Sequence, residues 1–104
     1  MAENNRQKVY EIVKLIPKGK IMSFSQIGRL IGLHPRTVGN ILTTMKGEDL
    51  EKIPWHRVVN SKGYISAIKL GLKGQIQEKL LRREGLKIID YQIIDYEKHW
   101  HKII

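Results

Sequence analysis

Cysteine is absent from all 104 residues. That excludes disulfides, thiolate nucleophiles and cysteine-ligated metal sites. A reducing compartment suits such a chain, although a secreted protein without cysteine would read the same way. No charged-then-apolar leader opens the sequence and no long apolar run occurs, so nothing points to export or a membrane. The expectation is a soluble intracellular protein, in the cytoplasm and nucleoid or in a eukaryotic nucleus, with no membrane partner. With no disulfide and no obvious metal cluster, the core must come from ordinary apolar packing. At 41% hydrophobic residues, a chain this short is expected to form one small domain over residues 1–104. Acids are scarce as well: 10 Asp and Glu stand against 19 Lys and Arg, a formal charge of +9. Residues 1–52 hold nine basic and five acidic side chains, and residues 53–104 hold ten and five. An excess spread over both halves suits a basic face on a folded domain with a polyanionic partner, and a lysine-rich solvated surface would give the same count.

What is present is mostly helical patterning. Val9, Ile12, Val13 and Ile16 recur at i, i+3, i+4 and i+7, a stripe that Pro17 and Gly19 end. Ser23 and Gln26 form a capping-box pattern ahead of Phe24, Ile27 and Ile31, with Gly32 at the expected helix end. After a three-residue turn, Pro35 suits the first position of a second helix in which Val38, Ile41, Leu42 and Met45 repeat the spacing. Two short helices and a tight turn predict a helix-turn-helix. The outward face of the second helix is Arg36, Thr37, Asn40, Thr43 and Thr44, with no acid. Such a face approaches a DNA backbone without electrostatic cost, and a surface helix that happens to be threonine-rich would look alike. Gly39 within it is unexpected unless something must come close. Val58-Val59 and Tyr64-Ile65 flank Asn60-Ser61-Lys62-Gly63 and predict a β-hairpin wing. Residues 66–74 read as a loop, and Ile76, Leu80 and Leu81 support a helix ending at Gly85. The tail repeats Ile-Ile-Asp-Tyr at 88–91 and 93–96, read as one or two strands before a basic aromatic end. The fold class is therefore mainly α with a small β-hairpin wing, a winged helix-turn-helix.

The run Ile53-Pro54-Trp55-His56-Arg57-Val58-Val59 resembles the proline-cysteine-histidine-arginine-valine signature of O6-alkylguanine-DNA alkyltransferases. The resemblance extends from about Val9 to Leu86 through Ile16-Pro17-Lys18-Gly19-Lys20, Ser23-Phe24-Ser25-Gln26-Ile27, Arg36-Thr37-Val38-Gly39 and Leu80-Leu81-Arg82-Arg83-Glu84-Gly85. Residues 86–104 lie outside it. Trp55 occupies the acceptor position, and an indole has no ionisable thiol to serve as nucleophile. The chain thus resembles the alkyltransferase-like proteins, which bind alkylated guanine without repairing it.

That resemblance implies minor-groove docking on double-stranded DNA containing O6-alkylguanine, base flipping, no catalytic residue, no metal or cofactor, a monomer, and a handover to nucleotide excision repair proteins. It makes Arg36 the side chain that fills the space of the extruded nucleotide, as a planar guanidinium suits, while an arginine that merely contacts phosphate is the plainer reading. It places Phe24 where a tyrosine usually presses on a phosphate, keeping the ring and losing the hydroxyl; the same residue would serve as ordinary core. His56 and Glu84 match the relay that activates the thiol in the enzymes, and without a thiol they hold the pocket in shape. Trp55 either lies against the alkylated base or fills the space of a smaller residue. Pro54 and Arg57 are structural, Arg57 needing carboxylate or carbonyl partners, and Lys62 joins Arg36, Thr37, Asn40, Thr43 and Thr44 on the DNA side. Two departures stand out. The stretch from Arg36 to Trp55 is about two residues longer than in the enzymes and lacks their asparagine-proline hinge, having Met45-Lys46-Gly47 instead; and Ser66-Ala67-Ile68-Lys69 replaces a tyrosine-serine-glycine wall. Two rivals remain: a sequence-specific winged helix-turn-helix transcriptional regulator using the major groove, and a glycosylase or hydrolase acting through His56 and Glu84.

Overall fold

A computed structural model describes residues 4–65 and 72–103. Helix α1 (Asn5–Lys14) starts at a capping box in which Asn4 and Gln7 bond each other's backbone. Val9 and Val13 are fully buried on its inner face, and Ile16 follows them into the core. Strand β1 (Met22–Ser23) runs into α2 (Phe24–Ile31) through the expected box: Gln26 N–H donates to Ser23 Oγ at 3.0 Å and Ser23 N–H donates to Gln26 Oε1 at 2.8 Å. Gly32 ends α2 in the left-handed region at φ 73°, and α3 (Pro35–Thr43) begins with Pro35. Val38, Ile41, Leu42 and Met45 turn inward together. The helix-turn-helix is as the periodicity predicts.

The corner between α2 and α3 depends on Gly28. Leu33 N–H donates to Gly28 O at 2.9 Å, and a Cβ at Gly28 would collide with the Leu33 carbonyl, which is backbone and cannot swing aside. Gly28→Ala therefore costs about 2 kcal/mol, within the overpacking range. In a domain of this size each kcal/mol lowers the thermal midpoint by about 4–8 °C. A melt within about 2 °C of wild type would show that the corner yields without strain.

The wing differs from expectation. Strand β2 (Val58–Val59) pairs in parallel with β1, Met22 with Val58 and Ser23 with Val59. The predicted turn is present, with Asn60 N–H donating to Tyr64 O at 3.2 Å. However, Tyr64 N–H goes to Asn60 Oδ1 at 2.9 Å rather than to the Asn60 carbonyl, so the hairpin stops after one rung. Tyr64 bridges to Gln92 and Ile65 N–H donates to Tyr91 O, so the turn is braced by the tail. The tail itself forms two strands, β3 (Ile88–Ile89) and β4 (Gln92–Ile93), joined by Asp90 and Tyr91 at positive φ of 49° and 64°. Two consecutive positive φ values match a tight hairpin turn. Beyond it, Ile21 N–H donates to His99 O and His101 N–H donates to Ile21 O, at 2.9 and 2.8 Å. The tail is thus stitched to the residue preceding β1.

Two further elements correct the sequence reading. A short helix α4 (Asp49–Lys52) precedes the Pro54-Trp55 segment, and α5 (Leu72–Arg83) begins inside the stretch read as a loop. Residues 66–71 of that stretch, including Ser66 to Lys69, lie outside the described residues. Ile76 points outward, 40% exposed, while Gln77 takes the buried position at 3%. One core lies between α1, α2 and α3, and a second gathers Ile21, Val59, Ile65, Leu81, Ile88 and Ile93. Among the described residues, no helix is long and apolar enough to cross a membrane.

Candidate nucleic-acid interface

Helix α3 presents Arg36, Asn40, Thr43 and Thr44 to solvent, with Thr37 half-buried. His34, not singled out from the sequence, caps this helix by accepting Arg36 N–H on Nδ1 at 3.1 Å. The two threonines are less free than composition suggests. Thr43 Oγ1 donates to Asn40 O at 3.2 Å and Thr44 Oγ1 to the same carbonyl at 2.7 Å, so each must release a helix bond to donate to a phosphate. At the end of α3, Arg6 reaches across from α1. Its Nη1 donates to Ile41 O and Tyr10 Oη, each at 3.0 Å, and its Nη2 to Thr44 Oγ1 at 2.8 Å. Tyr10 Oη in turn donates to Asp49 Oδ2 on α4 at 3.2 Å. No sequence motif marks this chain of contacts, because beyond the Arg6–Tyr10 step its members are 35 to 39 residues apart. Gly39 faces the Phe24 ring, and a Cβ there would lie 3.9 Å from it, an ordinary contact. Nothing described in this chain makes the close approach that a glycine there allows.

Beside α3 opens a narrow pocket with a cavity volume of about 40 Å³ and a solvent-facing mouth, so a base entering it must displace the side chains that line it. Its apolar lining is Phe24, Leu42, Leu50, Trp55 and Val58, and Thr43 belongs to both the pocket and the exposed helix face. Trp55 is brought there by a 3-10 turn (Trp55–Arg57) that Pro54 opens, with Trp55 N–H donating to Ile53 O at 2.7 Å and Arg57 N–H to Pro54 O at 3.0 Å. Phe24, Trp55 and the α3 threonine, distant in sequence, share one cavity. Lys62 does not join them. It sits on the 60–63 turn, where Gln92 Nε2 donates to its carbonyl at 2.8 Å.

Behind the 3-10 turn lies a nearly buried ionic cluster. Glu84, 10% exposed at its side chain, receives His56 Nε2 at 2.8 Å and Arg57 Nη2 at 2.7 Å, both on Oε2. Arg57 Nε adds a bond to Oε1 at 3.0 Å, and Gly19 N–H donates to the same oxygen at 3.2 Å. Arg57 Nη1 donates to Ile16 O at 2.8 Å, so the guanidinium has both carboxylate and carbonyl partners. Burial alone would raise the Glu84 pKa, but the bonds from Arg57, His56 and Gly19 overcome it and hold the group at about 2. Burial lowers the His56 pKa, helped by the Arg57 charge and opposed by Glu84. The state at neutral pH is an ionised Glu84 bonded to a neutral His56 that donates from Nε2. Gln77 completes the frame: its buried Nε2 donates to His56 O at 3.1 Å and Val58 O at 2.9 Å, fixing the backbone on both sides of Arg57. A glutamine in mid-helix carries no sequence signal for such a role.

The family model described as "6-O-methylguanine DNA methyltransferase, DNA binding domain" matches residues 4–86. Alkyltransferase-like protein 1 of Schizosaccharomyces pombe is 35% identical over 92 residues, 86% of this chain and 83% of that one. The chain belongs to the alkyltransferase-like family. A DNA base-flipping protein of Vibrio parahaemolyticus is 30% identical over 97 residues, 88% of this member and 90% of the relative. A methylated-DNA–protein-cysteine methyltransferase of Saccharolobus islandicus is 40% identical over 83 residues, but only 52% of its length is covered. The relatives therefore include proteins named for cysteine chemistry, and this chain contains no cysteine. Among solved structures, S. pombe Atl1 in complex with damaged DNA containing O6-carboxymethylguanine superposes with a TM-score of 0.83 at 29% identity, covering 99% of this chain and 100% of that one. The superposition includes the tail that the family model leaves out. The mainly α helix-turn-helix expectation holds.

Proposed function

We propose that this protein is a non-enzymatic sensor of O6-alkylguanine in duplex DNA. It docks α3 against the DNA, extrudes the modified base into the pocket beside Trp55, fills the vacated stack with Arg36, and leaves the alkyl group in place. The intracellular complex, formed by a single-domain monomer, then marks the lesion for nucleotide excision repair. The observation that carries this reading is the position of Trp55. It lines an apolar pocket that shares Thr43 with the exposed α3 face. The frame of His56, Arg57 and Glu84 behind it is intact, and no thiol exists anywhere in the chain. A planar aromatic pocket suits a stacked base, and a residue without a nucleophile suits recognition without transfer.

Matched duplexes with and without one O6-methylguanine test this directly. Wild type binds the lesion duplex more tightly, and a labelled methyl group stays on the DNA. Trp55→Ala reduces the lesion preference about tenfold, the scale of one base-aromatic stack, and leaves undamaged binding nearly unchanged. Label appearing on the protein would sink the non-enzymatic reading, and equal binding to both duplexes would sink lesion recognition.

A further inference from the structure

The geometry points to Lys73 as a specificity-determining residue that selects O6 adducts ending in a carboxylate over neutral alkyl adducts of similar size. This rests on the lesion-pocket reading above. The pocket is lined by apolar side chains, by Thr43 and Gln77, and by one charged group, Lys73. Gln77 has already committed its amide donor to two backbone carbonyls. It therefore offers an incoming group only an acceptor, which repels an anion. Lys73 is placed differently. It sits in the first turn of α5, and its Nζ donates to Thr43 O at 2.9 Å across the pocket. That carbonyl belongs to the last residue of α3 and has no helical partner. An ammonium has three N–H donors, so two remain for an occupant. Among the described residues no carboxylate lies within ion-pair distance of Lys73, and Glu84 is held by His56 and Arg57 behind the 3-10 turn. The exposed rim of the pocket therefore carries a cation with no carboxylate partner among the described residues, next to apolar walls. A methyl adduct leaves that charge unused. A carboxylate adduct, which would otherwise lose its hydration against Leu42, Leu50 and Val58, gains a charge-assisted bond. The plainer role for Lys73 is to cap α3, where a cation favours the helix C-terminus.

Three duplexes separate these roles, identical except for guanine, O6-methylguanine or O6-carboxymethylguanine at one position. Wild type is expected to bind the carboxymethyl duplex about tenfold more tightly than the methyl duplex, the scale of one charge-assisted hydrogen bond. Lys73→Gln removes that margin while holding methyl binding within about twofold, and Lys73→Arg retains it. If Lys73→Gln weakens both lesion duplexes equally, Lys73 is a helix cap and the inference falls. A margin that survives Lys73→Gln also overturns it, as does a wild type that prefers the methyl duplex to undamaged DNA yet treats both adducts alike. That last result leaves the lesion pocket standing. A wild type that fails to distinguish any of the three duplexes removes the pocket reading and this inference together.

Discussion

Replacing Arg36 with alanine lowers affinity for a duplex carrying one O6-methylguanine on the order of a hundredfold, equivalent to about 3 kcal/mol. Arg36 stands exposed in the first turn of α3, on a face with no acid. If it fills the stack vacated by the flipped base, its loss restores the full cost of unstacking, a few kcal/mol. Lys62→Ala, on a turn braced by the tail, costs only the few-fold expected of one phosphate contact, and its effect shrinks as salt rises. A fluorescent base analogue next to the lesion brightens with wild type and stays dim with Arg36→Ala. Equal losses for the two variants, on damaged and undamaged DNA alike, would reduce Arg36 to a backbone contact and remove base flipping from the mechanism.

Glu84→Gln is the largest expected stability loss, about 3 kcal/mol or more, because it leaves the half-buried Arg57 guanidinium without its counter-ion. That is a large share of the total for a small domain. The effect depends on pH in a stated direction. Glu84 is held at about 2 against an ordinary 4.5, so its contribution is complete above pH 4.5 and disappears as pH falls from 4.5 to 2. His56, lowered from 6.5, makes wild type lose stability earlier, since the unfolded chain takes up a proton near 6.5 that the buried ring resists. Urea unfolding at pH 7, 5 and 3 should show wild type and Glu84→Gln converging at the lowest pH. A gap that stays constant across that range would show that the ionised carboxylate is not its source.

What the sequence discloses follows from how local the cause is. Helices α1 to α3 are legible because apolar spacing and the Ser23–Gln26 box act within four residues. The meeting of His56 with Glu84 was legible only through the resemblance, since 28 residues separate them. The pairing of β2 with β1 was not legible. Turn residues at 60–63 announce a reversal, but they do not say which edge of Val58-Val59 finds a partner, and the choice is made by Met22 and Ser23 far upstream. Gln77 was missed because a polar residue in a helix reads as surface, and Lys73 because residues 66–74 read as a loop; their acceptors are carbonyls 19 to 30 residues away. The same applies to Arg6, whose hold on Ile41 O and Thr44 joins α1 to the end of α3.

The matched family segment ends at residue 86, but the packing does not. Ile88 and Ile93 lie in the same cluster as Ile21, Val59 and Leu81, and Trp100 packs against it. Ile21 leads directly into the strand that pairs with Val58 and Val59, the residues that follow the Trp55–Arg57 turn. The segment that the family model matches and the segment that must be synthesised for the chain to fold therefore have different ends. A gene fragment cut after residue 86 would encode every residue assigned to DNA, yet it would leave Ile21, Val59 and Leu81 facing water, and the scaffold that holds Trp55 would lose its outer wall.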